Sequence, residues 1–222
     1  MRPRDHLLIF LRAPMLGRVK RRLAADLGPL AALRFYRDHS RALVRRLGRD
    51  RRWTTTLVVT PAKATRGRSP WPGGHARHAQ VPGDLGRRMA RALAAAPPGR
   101  VVLVGSDLPD LDAATVAAAF RALGRADLVL GPAADGGYGL IGIARGRRPP
   151  PRDIRPVRWS TGHALVDTVA ALAPGRRVAV LPVALDDIDD GAGLLRWRRR
   201  QAEAASRCSV SRGISSTRLQ GR

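Results

Sequence analysis

The chain has 222 residues, 44% of them hydrophobic, which is enough to bury the core of one large α/β domain. Its formal net charge of +24 invites an acidic partner such as nucleic acid. However, the arginines are spread along the whole chain and only 4% of the residues are aromatic, so the sequence favours solvated surface charge over a nucleic-acid-binding face.

Neither a membrane span nor a disulfide framework is expected. No stretch reaches the roughly 18 to 20 continuous apolar residues that cross a bilayer, and the apolar run at residues 7–11 is too short for a signal peptide. Cys208 is the sole cysteine, which excludes an internal disulfide and a cysteine-ligated metal site. We therefore expect a cytoplasmic protein, whose oligomeric state the sequence leaves open.

The first predicted strand is the apolar run at residues 6–11, and a basic segment follows it. Gly17 gives this segment backbone freedom, while Arg18 and Lys20 bring positive charge to the carboxyl end of the strand, where phosphates bind in α/β sheets. Lys20 stands out because nearly all other basic residues are arginines. The segment is neither a Walker A nor a GxGxxG motif, so an ordinary basic surface loop is an open alternative.

An amphipathic helix is predicted after the first strand, with apolar residues at helical spacing over residues 30–47. Tyr36 is expected to pack in the core from this helix. The β-branched segment Trp53–Thr60 predicts a second strand, and the aperiodic residues 62–74 predict a loop.

Residues 80–96 predict a turn and then a helix, because Gly83 turns the chain and Asp84 can cap the helix that follows. If strands and helices alternate, the start of this helix faces the same cleft as the basic segment. Gln80 and Asp84 would then lie beside this cleft, although Asp84 could serve only as a helix cap.

The strongest strand prediction covers residues 101–104, where four consecutive apolar residues indicate a strand buried on both faces. It leads into Asp107, at the edge of the sheet where open α/β sheets bind ligands. Asp107 is the candidate metal ligand rather than a cap, because Asp110 and Asp112 are better placed to cap the helix predicted at residues 113–123.

A further buried strand is predicted at residues 126–131, and it ends in the sequence PAADGGYG. Gly136 and Gly137 after Asp135 indicate a tight turn into another strand at residues 140–143. An acid-bearing turn at this edge of the sheet is a candidate acceptor or sugar site, and the alternative is a plain hairpin turn.

Three more elements complete the predicted domain. Ser160 or Thr161 is expected to cap a helix at residues 162–173, which precedes a strand at residues 177–181. An amphipathic helix begins near residue 191.

Between that last strand and the final helix, four carboxylates lie within five residues: Asp186, Asp187, Asp189 and Asp190. Carboxylates this close repel one another, and a divalent cation would relieve the repulsion. An acidic surface turn is the alternative interpretation.

Several of these segments resemble one family in their order and approximate spacing: FLRAPMLGRVKRRL, QVPGDLGRRMARAL, VVLVGSDLPDL, LVLGPAADGGYGLIG, RWST and LDDIDD. The family is that of the bacterial arsenosugar-biosynthesis-type glycosyltransferases, uncharacterised GT-A-like nucleotide-diphospho-sugar transferases that are related to small-molecule guanylyltransferases. The resemblance covers residues 7–197. It implies a single-domain GT-A-like (Rossmann-like) α/β fold at residues 1–200, with a mostly parallel central sheet flanked by helices, and leaves residues 201–222 as a disordered basic tail.

The resemblance also implies a nucleotide site, with the phosphates near Gly17, Arg18 and Lys20. The implied nucleotide-binding residues include those of the loops that would lie beside the nucleotide base. The full set is Ala13, Gly17, Arg18, Lys20, Gln80 and Asp84. Within this site, Leu16 and Arg21 replace the proline and the threonine of the family pattern PGxVKTRL.

A metal and an acceptor are implied as well. Mg²⁺ or Mn²⁺ would bind Asp107 with help from Asp187 and Asp189, and the acceptor would lie near the turn residues Gly136, Gly137 and Tyr138. The implied catalytic residues are Asp107, Asp135 and Lys20. Asp135 is the candidate base, and Lys20 would neutralise charge on the leaving group.

Three functions follow as hypotheses. The first is transfer of a sugar from a nucleotide diphosphate sugar to a small acceptor, assisted by a divalent metal. The second is nucleotidyl transfer from a nucleoside triphosphate to a small phosphorylated acceptor, as in guanylyltransferases. The third is a basic nucleic-acid-binding protein with a vestigial cleft. The sequence does not identify the base, the sugar or the acceptor, because one fold of this kind serves many reactions.

Overall fold

Seven strands form one mixed sheet with helices on both faces. The computed structural model describes residues 5–146 and 149–216, with side chains up to residue 203. The strands are β1 (Asp5–Arg12), β2 (Trp53–Thr60), β3 (Ala76–Ala79), β4 (Gly99–Val104), β5 (Leu128–Pro132), β6 (Tyr138–Arg145) and β7 (Val178–Val180). The helices are α1 (Arg21–Leu27), α2 (Pro29–Gly48), α3 (Leu85–Ala95), α4 (Ala113–Ala122), α5 (Ala164–Leu172) and α6 (Gly191–Ser216), with a 3₁₀ helix at Ala62–Thr65.

The strand order is β3-β2-β1-β4-β6-β5-β7, and among the described strands only β6 runs antiparallel to its neighbours. The chain builds the sheet outward from β1 through β2 to β3, and then crosses to the other side of β1 to lay down β4. The carboxyl ends of β1 and β4 therefore flank a topological switch point, where open α/β sheets bind their ligands. The predicted α/β fold with a mostly parallel sheet is confirmed.

The side chains of β1 point alternately to the two faces of the sheet, and both faces are covered by helices. Leu7, Ile9 and Leu11 belong to the core that includes buried residues of α2 and α4, whereas Leu8 and Phe10 belong to the core with α3 and α5. A strand with two buried faces reads as a continuous apolar run, which is why its position could be predicted.

A smaller apolar cluster positions the acidic segment that follows β7. Leu23 of α1, Ala32 of α2 and Leu194 of α6 pack around Ile188, whose side chain is 1% exposed. Ile188 lies between Asp187 and Asp189. Burying it fixes the height of both carboxylates above the sheet.

Three elements differ from the sequence-based expectation. Strand β3 was not predicted, because as an edge strand it is mostly exposed and carries no apolar run. Helix α1 lies in a segment expected to be a loop, and it is only seven residues long with one buried residue, Leu23. Helix α6 continues to Ser216, so the backbone of residues 201–216 is helical where the sequence predicted a disordered tail; residues 201–205 are all glutamine, alanine or glutamate, which favour a helix. Residues 217–222 of the predicted tail lie outside the described residues.

The start of α5 also differs from the prediction. The residue before its first turn is His163, so neither Ser160 nor Thr161 is the N-cap. Thr161 instead donates a hydrogen bond from Oγ1 to the Arg158 carbonyl at 2.7 Å. In the described part of the chain, no helix combines the length and the apolar composition needed to cross a bilayer.

Candidate functional site

A cleft of about 470 Å³ opens at the switch point between β1 and β4. Its floor comes from the ends of these two strands, one wall from α3, and the opposite wall from the turn before β6 and the segment after β7. A second space of about 390 Å³ adjoins it and shares Arg12, Arg22, Ser106, Asp107 and Asp189 with the cleft. Because they share these five residues, the two spaces are continuous with each other.

Lys20 lies between two carboxylates at the boundary of these spaces. Its Nζ is 2.7 Å from Asp107 Oδ1 and 2.9 Å from Asp189 Oδ1, and its side chain is only 4% exposed. Burial alone would lower the pKa of the Lys20 ammonium, but the charges of Asp107 and Asp189 outweigh it and hold that pKa above its ordinary value. The ammonium is therefore charged at every physiological pH.

The backbone at Lys20 is unusual. With φ 47° and ψ 54°, this residue is left-handed, a conformation that costs most residues other than glycine about 1 to 2 kcal/mol. It precedes the first turn of α1, so the strained backbone directs the ammonium toward Asp107 and Asp189. Strain of this kind persists where surrounding contacts hold it in place.

The third acid of the predicted metal set, Asp187, is crowded by like charges. Burial, followed by repulsion from Asp189 and Asp135, raises the pKa of Asp187 to about 6. The segment reaches this position because the Ile188 amide donates to the Asp107 carbonyl at 3.2 Å, and the Leu185 amide donates to the Pro132 carbonyl at 2.7 Å. Residues far apart in sequence thus place Asp107, Asp187 and Asp189 around Lys20.

The acids suit a divalent cation in chemistry but not as a ready-made cage. Carboxylate oxygens are the ligands that Mg²⁺ and Mn²⁺ prefer, and the repulsion at Asp187 is what a cation would relieve. In the described residues, however, no group of three or more acidic, histidine or cysteine side chains is arranged to hold a metal ion. Lys20 already forms ion pairs with Asp107 and Asp189, so it competes with a cation for the same oxygens.

Tyr36 connects the ends of β1 and β4, which sequence reasoning did not foresee. Its hydroxyl donates to the Arg12 carbonyl and accepts from the Arg12 amide, both at 2.9 Å, and lies 3.3 Å from Ser106 Oγ. Burial raises the pKa of the Tyr36 hydroxyl, so it stays protonated. The expected core packing is present, since Tyr36 is 3% exposed, but its polar end also fixes the residue before Asp107.

The turn of the predicted acceptor site lines the cleft through Asp135, Gly137 and Tyr138. Asp135 Oδ1 accepts a hydrogen bond from the Gly137 amide at 2.9 Å, which closes the turn, and the Leu165 amide donates to the Gly136 carbonyl at 3.2 Å. Burial raises the pKa of the Tyr138 hydroxyl, which accepts from Thr168 Oγ1 at 3.2 Å. Asp135 therefore shapes the turn, and a role as base stays a prediction.

Gly136 should not tolerate a side chain. Its φ is +83°, and a Cβ built on it would lie 2.3 Å from the Gly162 carbonyl oxygen. We expect Gly136→Ala to lower the free energy of unfolding by about 2 to 4 kcal/mol, from backbone strain plus overpacking. Gly67→Ala is the control, because Gly67 also has a positive φ, +68°, with no neighbour within 4 Å. Chemical denaturation should show a distinctly larger loss of unfolding free energy for Gly136→Ala than for the control. Equal losses would contradict the close approach of the Gly136 turn to the backbone of Gly162.

The predicted nucleotide residues are only partly brought together. Lys20 and Arg18 line the second space, and Gln80 lines the cleft. Gly17 has φ +70° in an exposed turn, and Ala13 extends the pairing of β1 with β2 through its amide, which donates to the Thr60 carbonyl at 2.7 Å. Neither of these two lines the cleft or the second space.

Asp84 has a structural role instead. Its Oδ1 accepts from the Arg87 amide at 2.8 Å as the N-cap of α3, and its Oδ2 lies 3.2 Å from Arg155 Nη2. It does not line the cleft.

Other cleft residues were missed. Ser160 has a left-handed backbone with φ 61°, and apart from Lys20 it is the only described residue other than glycine with positive φ. Trp159 packs edge-on against Tyr138, with ring centroids 6.3 Å apart. Arg12 and Arg88 bring two guanidinium groups to the cleft. An arginine carries little signal in a chain this rich in arginine, and nothing local in the sequence indicates the backbone of Ser160.

This chain matches one protein family and resembles several solved structures. The family model described as "Uncharacterized protein conserved in bacteria (DUF2064)" matches residues 43–161. A solved protein from Desulfovibrio desulfuricans G20, with the provisional name nucleotide-diphospho-sugar transferase, has 31% sequence identity and a TM-score of 0.74, over 84% of this chain and 82% of that chain. No curated protein sequence gives a match.

More distant structures share the fold alone. The 4-diphosphocytidyl-2C-methyl-D-erythritol synthase from Anaerococcus prevotii DSM 20548 has 10% identity and a TM-score of 0.53, over 86% of this chain and 93% of that chain. A CMP:2-keto-3-deoxy-manno-octonic acid synthetase complexed with CTP has 12% identity and a TM-score of 0.52, over 91% of this chain and 100% of that chain. The fold is thus that of GT-A-like sugar and nucleotidyl transferases, and the chain belongs to the bacterial DUF2064 family.

Proposed function

We propose that this chain is a glycosyltransferase that moves a sugar from a nucleotide diphosphate sugar to a small acceptor with the help of a divalent metal. The provisional name of the D. desulfuricans relative supports the general class. Within that class, the sequence resemblance to the arsenosugar-biosynthesis-type glycosyltransferases supports the narrower family.

One observation carries the proposal: a buried, permanently charged ammonium at the switch point, held by two carboxylates that line the same cleft. Lys20 is 4% exposed, yet both of its partners, Asp107 and Asp189, are nearly half exposed and face the cleft. A structural ion pair needs no such opening to solvent. A cation beside open carboxylates is the arrangement that a diphosphate and its metal would use.

In the proposed reaction, the bond between the anomeric carbon and the β-phosphate oxygen breaks, and a bond from that carbon to an acceptor oxygen forms. Lys20, together with Arg18 and Arg22 nearby, would stabilise the negative charge that develops on the departing nucleoside diphosphate. The acceptor hydroxyl loses its proton, for which Asp135 is the candidate base. Trp159 and Tyr138 offer aromatic surface on the acceptor side of the cleft.

The proposed metal ligands are Asp107, Asp187 and Asp189. A divalent cation held by these carboxylates would supply positive charge that offsets the charge of the diphosphate. The carboxylates of Asp107 and Asp189 can bind the metal only if Lys20 shifts its hydrogen bonds from them to phosphate oxygens. Phosphate and metal are therefore expected to bind together, each more weakly without the other.

Nucleotidyl transfer is the second candidate, and the second space favours it. Two acids line that space, Asp107 and Asp189, against five basic residues. The basic residues are Arg12, Arg18, Lys20, Arg21 and Arg22. This is more positive charge than a diphosphate bound to a divalent cation requires, and it would suit the third phosphate of a nucleoside triphosphate. In this reaction, an acceptor phosphate attacks the α-phosphorus and pyrophosphate leaves.

Product analysis distinguishes the two reactions. The full chain is incubated with Mn²⁺ and either a panel of nucleotide sugars or a panel of nucleoside triphosphates with sugar phosphates, and the products are separated by ion-exchange chromatography. Release of nucleoside diphosphate together with a glycosylated acceptor supports the glycosyltransferase. Release of pyrophosphate replaces that proposal with nucleotidyl transfer.

Salt dependence tests the remaining alternative, a nucleic-acid-binding protein. We expect nucleotide binding in the cleft to weaken only modestly between roughly 50 and 200 mM salt, whereas nonspecific DNA binding to surface arginines should fall by orders of magnitude over this range. Both are measured by fluorescence anisotropy on the same preparation. Tight, salt-resistant and sequence-dependent DNA binding would overturn the assignment to a transferase.

A further inference from the structure

Arg88 is a half-buried cation on the α3 wall of the cleft. Its guanidinium carbon lies 6.0 Å from the centre of the Phe10 ring, which comes from the end of β1. Burial, with a further contribution from the charge of Arg12, lowers the pKa of Arg88, although an arginine stays charged at neutral pH. The protein therefore keeps a partly desolvated positive charge facing this space.

Gln80 holds this guanidinium in place. Its Oε1 accepts a hydrogen bond from Arg88 Nη2. Its Nε2 donates to the carbonyls of Leu11 at 3.3 Å and Val58 at 2.8 Å, which fixes the amide against β1 and β2. With both ends of the amide used, Gln80 positions Arg88 and has little capacity left for a ligand.

The guanidinium groups of Arg88 and Arg12 differ from those of many other arginines in their ion pairing. Ion pairs engage many other arginines, including Arg52, Arg100, Arg158 and Arg200. Among the described residues, by contrast, neither Arg88 nor Arg12 forms an ion pair, although both line the cleft. The positive charges of Arg12 and Arg88 repel each other, which is unfavourable when the cleft is empty. A bound anion would attract both groups and so outweigh this repulsion.

We propose that Arg88 of α3 and Arg12 at the end of β1 together form an anion subsite, distinct from the ion pair of Lys20 and Asp107, and that this subsite binds a phosphate group of the substrate. This rests on the proposed function only in that the cleft binds substrate. The phosphate could belong to the acceptor or to the nucleotide. Arginine suits it because the planar fork of guanidinium donors matches phosphate oxygens, and Gln80 limits the rotation of that fork.

The test uses calorimetric titration of the full chain at fixed ionic strength with three probes: glucose 1-phosphate, glucose as its neutral counterpart, and a nucleoside diphosphate with Mn²⁺. Arg88→Gln is compared with Arg91→Gln, an exposed arginine of the same helix that does not line the cleft. Arg88→Lys keeps the charge without the fork, and Arg12→Gln removes the second group. Lys20→Ala in the same series tests the proposed function independently.

We expect Arg88→Gln to lower the affinity for a phosphate probe by at least about ten-fold. Arg88→Lys should lower this affinity less, and Arg91→Gln should leave it unchanged. A loss confined to glucose 1-phosphate assigns the subsite to the acceptor, and a loss confined to the nucleoside diphosphate assigns it to the nucleotide. If the wild type does not prefer glucose 1-phosphate over glucose and Arg88→Gln leaves the nucleoside diphosphate unchanged, the subsite does not exist. Equal losses in Arg88→Gln and Arg91→Gln also overturn it, because they indicate general surface charge.

The two proposals can fail separately. If Lys20→Ala has no effect while Arg88→Gln does, the diphosphate site is wrong and the subsite stands. If Lys20→Ala weakens the nucleoside diphosphate while Arg88→Gln and Arg12→Gln have no effect on any probe, the subsite is wrong and the proposed function stands. Should Arg88→Gln not fold, as judged by circular dichroism, Arg88→Lys and Arg12→Gln give the same comparison.

Discussion

Asp107→Asn is expected to lower the rate of transfer by at least about 100-fold and to abolish metal-dependent nucleotide binding, with the fold intact. The substitution removes a charge at the end of β4 that contacts Lys20 at 2.7 Å and is a proposed metal ligand. Asparagine has nearly the same shape, and the backbone carbonyl that accepts from the Ile188 amide is unchanged. Because Asp107 is 44% exposed, the loss of stability should stay within about 1 to 2 kcal/mol.

Calorimetry with a nucleoside diphosphate in the presence and absence of Mn²⁺ measures this effect. Asp38→Asn is the matched control, since Asp38 is an exposed acid whose ion-pair partner is its neighbour Arg37, away from the cleft. Binding that depends on Mn²⁺ to the same degree in Asp107→Asn and the wild type would show that Asp107 is not a metal ligand.

The sequence predicted the framework of the site because the framework rests on local patterns. The run at residues 101–104 is apolar on both faces, and Asp107 follows it within three residues. The basic segment likewise follows an apolar strand, β1. Since the carboxyl ends of parallel strands meet at one edge, Lys20 and Asp107 were expected near each other, and the structure places their charged atoms in contact.

What the sequence could not predict depends on contacts between distant residues. Asp189 reaches Lys20 across 169 positions, which requires the segment after β7 to continue parallel to the chain at the end of β5, where Leu185 pairs with Ala133. The hydroxyl of Tyr36 reaches Arg12 across 24 positions, and a helical apolar pattern does not indicate where the polar end of a core tyrosine points. Gln80 and Arg88 lie eight positions apart across a turn, and their pairing depends on how α3 packs on Phe10.

Lys20→Ala should remove most of the preference of the protein for a nucleoside diphosphate over the monophosphate in the presence of Mn²⁺. A charge-assisted contact contributes about 1.5 to 3 kcal/mol, so the affinity ratio is expected to fall by about 10-fold to 150-fold. Titration of GMP and GDP, and of the corresponding pairs with other bases, measures the ratio whichever base the protein prefers.

The left-handed backbone at Lys20 provides a control that separates binding from stability. Lys20→Gly and Lys20→Ala both remove the ammonium and its contacts with Asp107 and Asp189, so both should lose the same nucleotide affinity. Glycine adopts φ 47° without strain, however, so Lys20→Gly should be more stable than Lys20→Ala by about 1 kcal/mol in chemical denaturation. If either variant keeps the diphosphate preference of the wild type, then Lys20 serves only to hold Asp107 and Asp189 together, and the proposed transferase activity loses its main support.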